Sequence, residues 1–228
     1  MRVTVRDDAA GEVQRLRAQL EQLQGRRLDA PLLPTSPALA DLLPGGGLRA
    51  GSAYVVAPSS ALLLSLLAPP TRAGSWCAAV GMPELGAEAA ADLGVVLDRL
   101  VLVPEPGPRW LPVTATLAEV MTVVAVRPAG RVSEADATRL LARLRDRGAA
   151  LLVQGAWPQA DASLEIADPH WSGLGRGHGY LAAREVTVTV RSRRSPVPRR
   201  ARMLLPDPQG ALTASTATAS VVPLRAVG

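Results

Sequence analysis

At 228 residues the chain can bury roughly 70% of its unfolded surface around one core; with 48% hydrophobic residues and no phenylalanine, that core must be built from Ala, Val and Leu. The single cysteine, Cys77, excludes an intrachain disulfide and a four-cysteine zinc site and predicts a reducing, cytoplasmic setting. The net charge of +5 rests on arginine alone, the sequence containing no lysine, and it is uneven: from Arg176 to Arg202 the only acidic residue is Glu185.

Met1 to Val5 leads into Asp7 and Asp8 rather than an apolar segment, and the longest apolar runs, about ten residues, are too short to span a bilayer, so no membrane association is expected. Val13, Leu16, Leu20 and Leu23 are spaced three, four and three, a single stripe on a helix. It packs on its own domain or docks on a neighbouring subunit or partner; two turns of leucine seam are too few for a free coiled coil. Pro31, Pro34 and Pro37 then predict an extended linker, making residues 1–37 an appendage of a core over 38–207.

Pro44 to Leu67 has the layout of a nucleotide-binding entrance: a glycine turn (Gly45, Gly46, Gly47, Gly51), a strand Ala53 to Val56, a tight loop and an apolar helix Ser60 to Leu67. A phosphate loop G-x-x-x-x-G-K-[ST] needs glycines for backbone approach, a lysine for charge and a hydroxyl for magnesium. Here Ala57 takes the first glycine position, followed by Pro58, while Leu62, Leu63 and Leu64 take those of the second glycine, the lysine and the hydroxyl. The glycine cluster therefore reads better as a turn feeding the first strand than as a phosphate cradle.

Strand Trp76 to Val80 completes a βαβ unit with short connections, which implies a parallel sheet. The pattern repeats as helix Glu84 to Leu93, strand Leu100 to Val103, helix Leu111 to Ala118 and strand Met121 to Val126. Ser133 caps a helix to about Arg147, acidic in its first turn and basic in its last, and Gly148 stops it. Ala149 to Val153 is apolar throughout, as buried parallel strands are. Ser163 to Ala167, Arg184 to Val190 and Ala201 to Leu205 alternate like antiparallel strands, giving a mixed α/β sheet. From Pro208 the Ala, Thr and Ser composition predicts a flexible tail over 208–228.

Arg191, Arg193, Arg194, Arg199, Arg200 and Arg202 crowd the crossing between the last two strands. They suit phosphate backbones, an acidic partner surface, or simply a solvated ribbon; the near absence of aromatic residues argues against base stacking. His170 and His178 lack a carboxylate or cysteine partner, so no metal is expected, and Cys77 inside an apolar strand reads as a core residue rather than a nucleophile.

The runs Trp76-Cys77-Ala78-Ala79-Val80-Gly81-Met82-Pro83-Glu84 and Ala91 to Pro106, with the order and spacing of the whole series from Leu42 to Leu205, resemble the RecA core. The resemblance implies a RecA-like α/β fold, a mainly parallel twisted sheet flanked by helices, with antiparallel strands at its C-terminal side and a preceding helix that docks on the next protomer. Departures concentrate on one site. The phosphate loop is lost; Pro83 stands where the family's catalytic glutamate is expected; the strand that should end in a magnesium-orienting aspartate runs into Arg127; and the second DNA-binding loop shrinks to Gly155 to Asp161. Such a chain is similar to the actinobacterial ImuA-prime group. That similarity implies a non-catalytic accessory subunit, without cofactor, of a damage-induced mutasome. It would act with an ImuB-like polymerase-related protein and indirectly with an error-prone DnaE-type polymerase; RecA and DNA are further candidate partners, with recruitment to the nucleoid after damage. A SulA-like cell-division inhibitor, and a RecA-like ATPase with an unconventional nucleotide site, are the alternatives.

Overall fold

A computed structural model of the protein describes residues 30–173 and 183–215. The chain divides into two units, residues 1–31 and 32–228, and the sheet and its helices belong to the second. The stripe Val13, Leu16, Leu20 and Leu23 lies outside the described residues, as does His178.

Among the described residues nine strands form one sheet. In chain order they are β3 (Ala53–Val56), β4 (Cys77–Val80), β5 (Leu100–Val103), β6 (Val123–Val126), β7 (Ala150–Val153), β8 (Ala162–Ser172), β9 (Ala183–Ser192), β10 (Ser195–Leu204) and β11 (Thr213–Ala214). Their spatial order is β11-β10-β9-β8-β3-β7-β6-β4-β5. From β8 to β5 every pairing is parallel; from β8 to β11 every pairing is antiparallel. The mixed sheet expected from the switch in pattern is thus present, with the switch at β8.

Helices cover both faces of the parallel half, so β4, β6 and β7 are buried at every position, which their unbroken Val, Ala and Leu content permits. Successive side chains split the core in two. Val123 and Ala125 face α2 (Ser60–Arg72), whereas Val124 and Val126 face α4 (Trp110–Leu117) and α5 (Glu134–Arg147). The short α3 (Ala87–Asp92) joins the first of these layers. The stripe Ala137, Leu140, Leu141 and Leu144 of α5 is buried against the sheet. Ser133 accepts from the Asp136 N–H at 3.1 Å, and Gly148 closes the helix in the left-handed region at φ 66°.

Besides shifted ends, the helix expected from Glu84 beginning at Ala87 and the last long strand at Ser195, three segments differ in kind from the sequence reading. The long helix α2 does not stop at Leu67 but continues through Pro69 and Pro70 to Arg72. Each proline removes one N–H, yet in the last turn only one further turn of bonds depends on them, and Pro70 and Thr71 are buried. The expected linker is partly folded: β1 (Leu32–Leu33) pairs with β2 (Leu48–Arg49), and Pro37 opens the short helix α1 (Pro37–Ala40) at the position where its missing N–H costs nothing. Of the expected flexible tail over 208–228, residues 208–215 are folded and the rest lies outside the described residues. Asp207 accepts from the Gln209 N–H at 2.9 Å and the Ala211 N–H at 2.8 Å, and Thr213 Oγ1 donates to it at 3.2 Å. This turn returns the chain so that β11 pairs with Met203 and Leu204.

Candidate functional site

The loop between β3 and α2 stands where the RecA resemblance leads one to expect a phosphate loop, and several of its backbone groups bond within the protein. Pro58 has no N–H. Ala57 donates to the Leu164 carbonyl at 2.8 Å, Ser59 to the Ala57 carbonyl at 2.6 Å, and Leu62 to the Ser59 hydroxyl at 3.3 Å. Three amides of the loop and the first helical turn are therefore spent on protein acceptors. Leu62, Leu63 and Leu64, at the positions of the second glycine, the lysine and the hydroxyl, are wholly buried in the layer against the sheet.

The ends of β4, β6 and β7 converge beside this loop. Arg127, directly after β6, donates from Nη2 to the Glu84 carboxylate and to Gln154 Oε1 at 2.6 Å. Gln154, directly after β7 and buried, turns its amide nitrogen towards the Ala57 and Ser59 carbonyls at 3.3 and 3.4 Å. A carboxylate, a guanidinium and an amide thus connect three strand ends to the loop. The hydrogen bond from Arg127 holds the Glu84 carboxyl below the usual glutamate range. Gly81 makes the approach possible: with φ 76°, it sits where a Cβ would fall 2.7 Å from the Arg127 carbonyl oxygen.

The residue expected at the catalytic glutamate position, Pro83, is exposed; its neighbour Glu84 is the one that enters the network. Sequence reading placed Arg127 here but missed Glu84 and Gln154. Acid, arginine and glutamine each directly following or shortly after an apolar strand was the available signal. A cation balanced by one carboxylate can brace the loop; it offers no ligand set for a divalent metal. Among the described residues there is no cluster of three or more His, Cys, Asp or Glu able to hold a metal ion. Cys77 is buried, which pushes its thiol up to about 12. The shortened loop Gly155 to Asp161 packs Trp157 into the layer under α5.

The arginine crossing is a hairpin whose two-residue turn is Arg193-Arg194, with Ser192 paired to Ser195. Its tip is tied to Asp161, whose carbonyl accepts from the Arg193 N–H at 3.3 Å and the Ser192 hydroxyl at 3.2 Å. Much of the charge is answered. Arg191 pairs with Glu165 at 3.2 Å, Arg194 with Asp161 at 3.5 Å and Arg202 with Glu185 at 3.2 Å. Arg199 donates to the Asp41 carbonyl at 3.3 Å, and Arg193, Arg199 and Arg200 are all exposed with their charge uncompensated by any ion pair among the described residues. The register shifts across Pro196-Val197-Pro198, two prolines that keep this open edge from extending the sheet. Elsewhere, a cavity of about 330 Å³ opens between the edge strand β5 and α4, lined by Val103, Arg109, Pro112, Val113, Thr116 and Leu117. Among the described residues no helix is long and apolar enough to cross a membrane.

Comparison with known proteins gives the same outline. The family model described as the MT3502 N-terminal domain matches residues 41–159, from the end of α1 to the connection after β7. An uncharacterized protein of Mycobacterium tuberculosis, Rv3395c, is 37% identical over 153 residues, 63% of this chain and 75% of that protein. Among solved structures, the RadB recombinase superposes with a TM-score of 0.55 at 16% identity, covering 77% of this chain and 96% of that one. At that identity the likeness establishes the fold, which is RecA-like.

Proposed function

We propose, from the premise that this chain belongs to the MT3502 N-terminal domain family, that it is a non-catalytic RecA-like subunit that works by contact with other proteins. Its setting is a damage-induced translesion mutagenesis complex. The observation that carries this reading is the brace from Glu84 through Arg127 and Gln154 to the Ala57 and Ser59 carbonyls. It fills the corner where a nucleotide would need amides, a lysine and a magnesium-binding carboxylate, and puts a guanidinium beside the metal's place. Leucines in place of the lysine and hydroxyl of a phosphate loop, and an arginine bonded to Glu84 and Gln154 where a metal-orienting carboxylate is expected, support a scaffold derived from a nucleotide-binding fold.

The partners that fit are those implied by similarity to the ImuA-prime group: an ImuB-like polymerase-related protein in direct contact, an error-prone DnaE-type polymerase reached through it, and RecA or DNA as further contacts at the site of damage. The arginine hairpin is the surface with charge to spare for an anionic partner. Two measurements test the reading. Calorimetric titration with ATP and magnesium is expected to give only the heat of dilution, and saturable binding would overturn the non-catalytic assignment. Affinity purification from DNA-damaged cells of the native host is expected to recover a polymerase-related protein; recovery of a tubulin-like division protein without any polymerase would redirect it to a SulA-like role.

A further inference from the structure

The turn of the arginine hairpin runs against its own sequence. Ser192 pairs with Ser195, so Arg193 and Arg194 are the central residues of a two-residue hairpin turn. Such turns favour a left-handed backbone at one or both central positions, because only then does the turn follow the twist of its strands; Asn-Gly is the sequence that suits them. The described non-glycine residues with positive φ are Gln159 and Asp168, so neither arginine adopts that backbone. The ladder loses its register immediately afterwards, between Ser195 and Arg199.

What holds the turn comes from outside it. Asp161 directly precedes β8 and donates its N–H to the Ala53 carbonyl at 2.8 Å, at the start of β3. Its own carbonyl accepts from the Ser192 hydroxyl and the Arg193 N–H, and that hydroxyl in turn accepts from the Arg194 N–H at 3.1 Å. The Asp161 carboxylate pairs with the Arg194 guanidinium at 3.5 Å. These two side chains are 20% and 28% exposed, whereas Glu165 and Arg191 in the next pair are each more than half exposed. Arg194 is therefore an anchor, while Arg193 beside it is exposed and joins no ion pair among the described residues. A turn that local preference opposes, and that a neighbouring segment must hold, is where a functional requirement is expected.

Phosphate chemistry fits that requirement better than a protein surface does. From Arg191 to Arg200 there is no aromatic side chain and one exposed large aliphatic one, Val197, too little for the apolar centre of a protein interface. The hairpin stays positive when Asp41, beside Arg199, is counted with the three carboxylates that its arginines pair. Guanidiniums are among the groups that hold nucleic-acid phosphates without reading sequence.

We propose that Asp161 is the positioning residue of a phosphate-binding turn: with Ser192 it clamps Arg194, so that Arg193 is presented, together with Arg200, to the backbone of a DNA duplex. This rests on the reading of the hairpin as the surface that meets an anionic partner. The test reads the affinity of the full chain for a short DNA duplex by fluorescence anisotropy. Two double variants keep the net charge of the wild type and differ in the clamp. Asp161→Ala/Arg194→Ala removes it, and Asp161→Asn/Arg194→Gln replaces it with a neutral hydrogen bond. The first is expected to bind about fivefold more weakly, because the turn must then be ordered on binding, and the second to bind as the wild type does. Equal affinity in the two would overturn the proposal, since no loss makes the clamp irrelevant and equal loss makes Arg194 itself a phosphate ligand. Should the alanine pair fail to fold, Ser192→Ala removes the hydroxyl that joins Arg194 to Asp161 without changing charge; a weaker complex is expected, and wild-type affinity would sink the idea. No loss of affinity in Arg193→Ala/Arg200→Ala would overturn the reading of the hairpin itself, and the role of Asp161 with it. Displacement of the duplex by polyglutamate as readily as by unlabelled duplex at matched charge would assign the turn to an acidic protein surface and likewise overturn the proposal.

Discussion

Arg127 puts a guanidinium at the end of β6, between a carboxylate and a buried amide. Where the RecA resemblance leads one to expect a carboxylate that orients a metal, a guanidinium reaches Glu84 and Gln154. The Arg127 and Glu84 side chains are 37% and 47% exposed, so their attraction is screened and by itself contributes little. The energetic weight falls on Gln154, 6% exposed, whose amide oxygen loses its donor if the guanidinium is removed. Leaving a buried amide oxygen unpaired costs about 1–3 kcal/mol, so Arg127→Leu is expected to destabilise the fold by about 1 kcal/mol, read from chemical denaturation. The same change should return the Glu84 midpoint towards its ordinary value of 4.5, measurable by NMR titration. The sign follows from the direction of the shift. A carboxyl whose folded midpoint is depressed contributes stability that is present above the unfolded value and lost as pH falls through the folded one. The difference between wild type and Arg127→Leu should therefore be full at pH 7 and shrink below about pH 4, and a difference that grows on acidification would refute the assignment.

Individual elements divide by whether their determinants are local. The boundaries of α5 were legible because Ser133, Glu134, Asp136 and Gly148 act within a turn of the helix they bound. The continuation of α2 through Pro69 and Pro70 was not, because burial of Pro70 and Thr71 offsets a local preference to stop. Residues 208–215 looked like a tail because their composition carries no strand signal; the Asp207 carboxylate and the exposed edge of β10 supply it instead. The brace is the extreme case, since Glu84 and Arg127 are brought together only when β4 and β6 pair. The local determinants of α5 lend themselves to measurement. Ser133→Ala removes the acceptor for the Asp136 N–H and should cost about 1 kcal/mol. Gly148→Ala forces a side chain into φ 66° and should cost about 1 kcal/mol as well. Each should lower the melting temperature by about 2–4 °C in a domain of this size. The two caps lie about 20 Å apart along the helix, so the double variant should show the sum within about 0.5 kcal/mol. A clear departure from additivity would mean that the caps stabilise α5 through a shared rearrangement.

For the whole molecule, net charge is a poor guide to where an anion would bind, because ion pairs redistribute it. Six arginines in the hairpin look equivalent in sequence, yet Arg191, Arg194 and Arg202 face Glu165, Asp161 and Glu185 across β8 and β9. An incoming phosphate must compete with a carboxylate for each of these, whereas Arg193 and Arg200, and Arg199 with only a backbone carbonyl, meet no such competition among the described residues. If the hairpin contacts duplex DNA, each phosphate neutralised by an arginine contributes about 0.9 to the slope of log affinity against log salt. Arg193→Ala/Arg200→Ala should then reduce that slope by about 2, while Arg191→Ala/Arg202→Ala, which frees Glu165 and Glu185 but removes arginines already neutralised, should change it by less than about 1. Fluorescence anisotropy with one duplex across a salt series, on wild type and both pairs, separates the two outcomes. Equal slopes for the two variants would mean that the ion pairs open at no cost and that all six arginines act as one field. Unchanged affinity in both would remove DNA from the hairpin and leave the uncompensated Arg193 and Arg200 to an acidic protein surface.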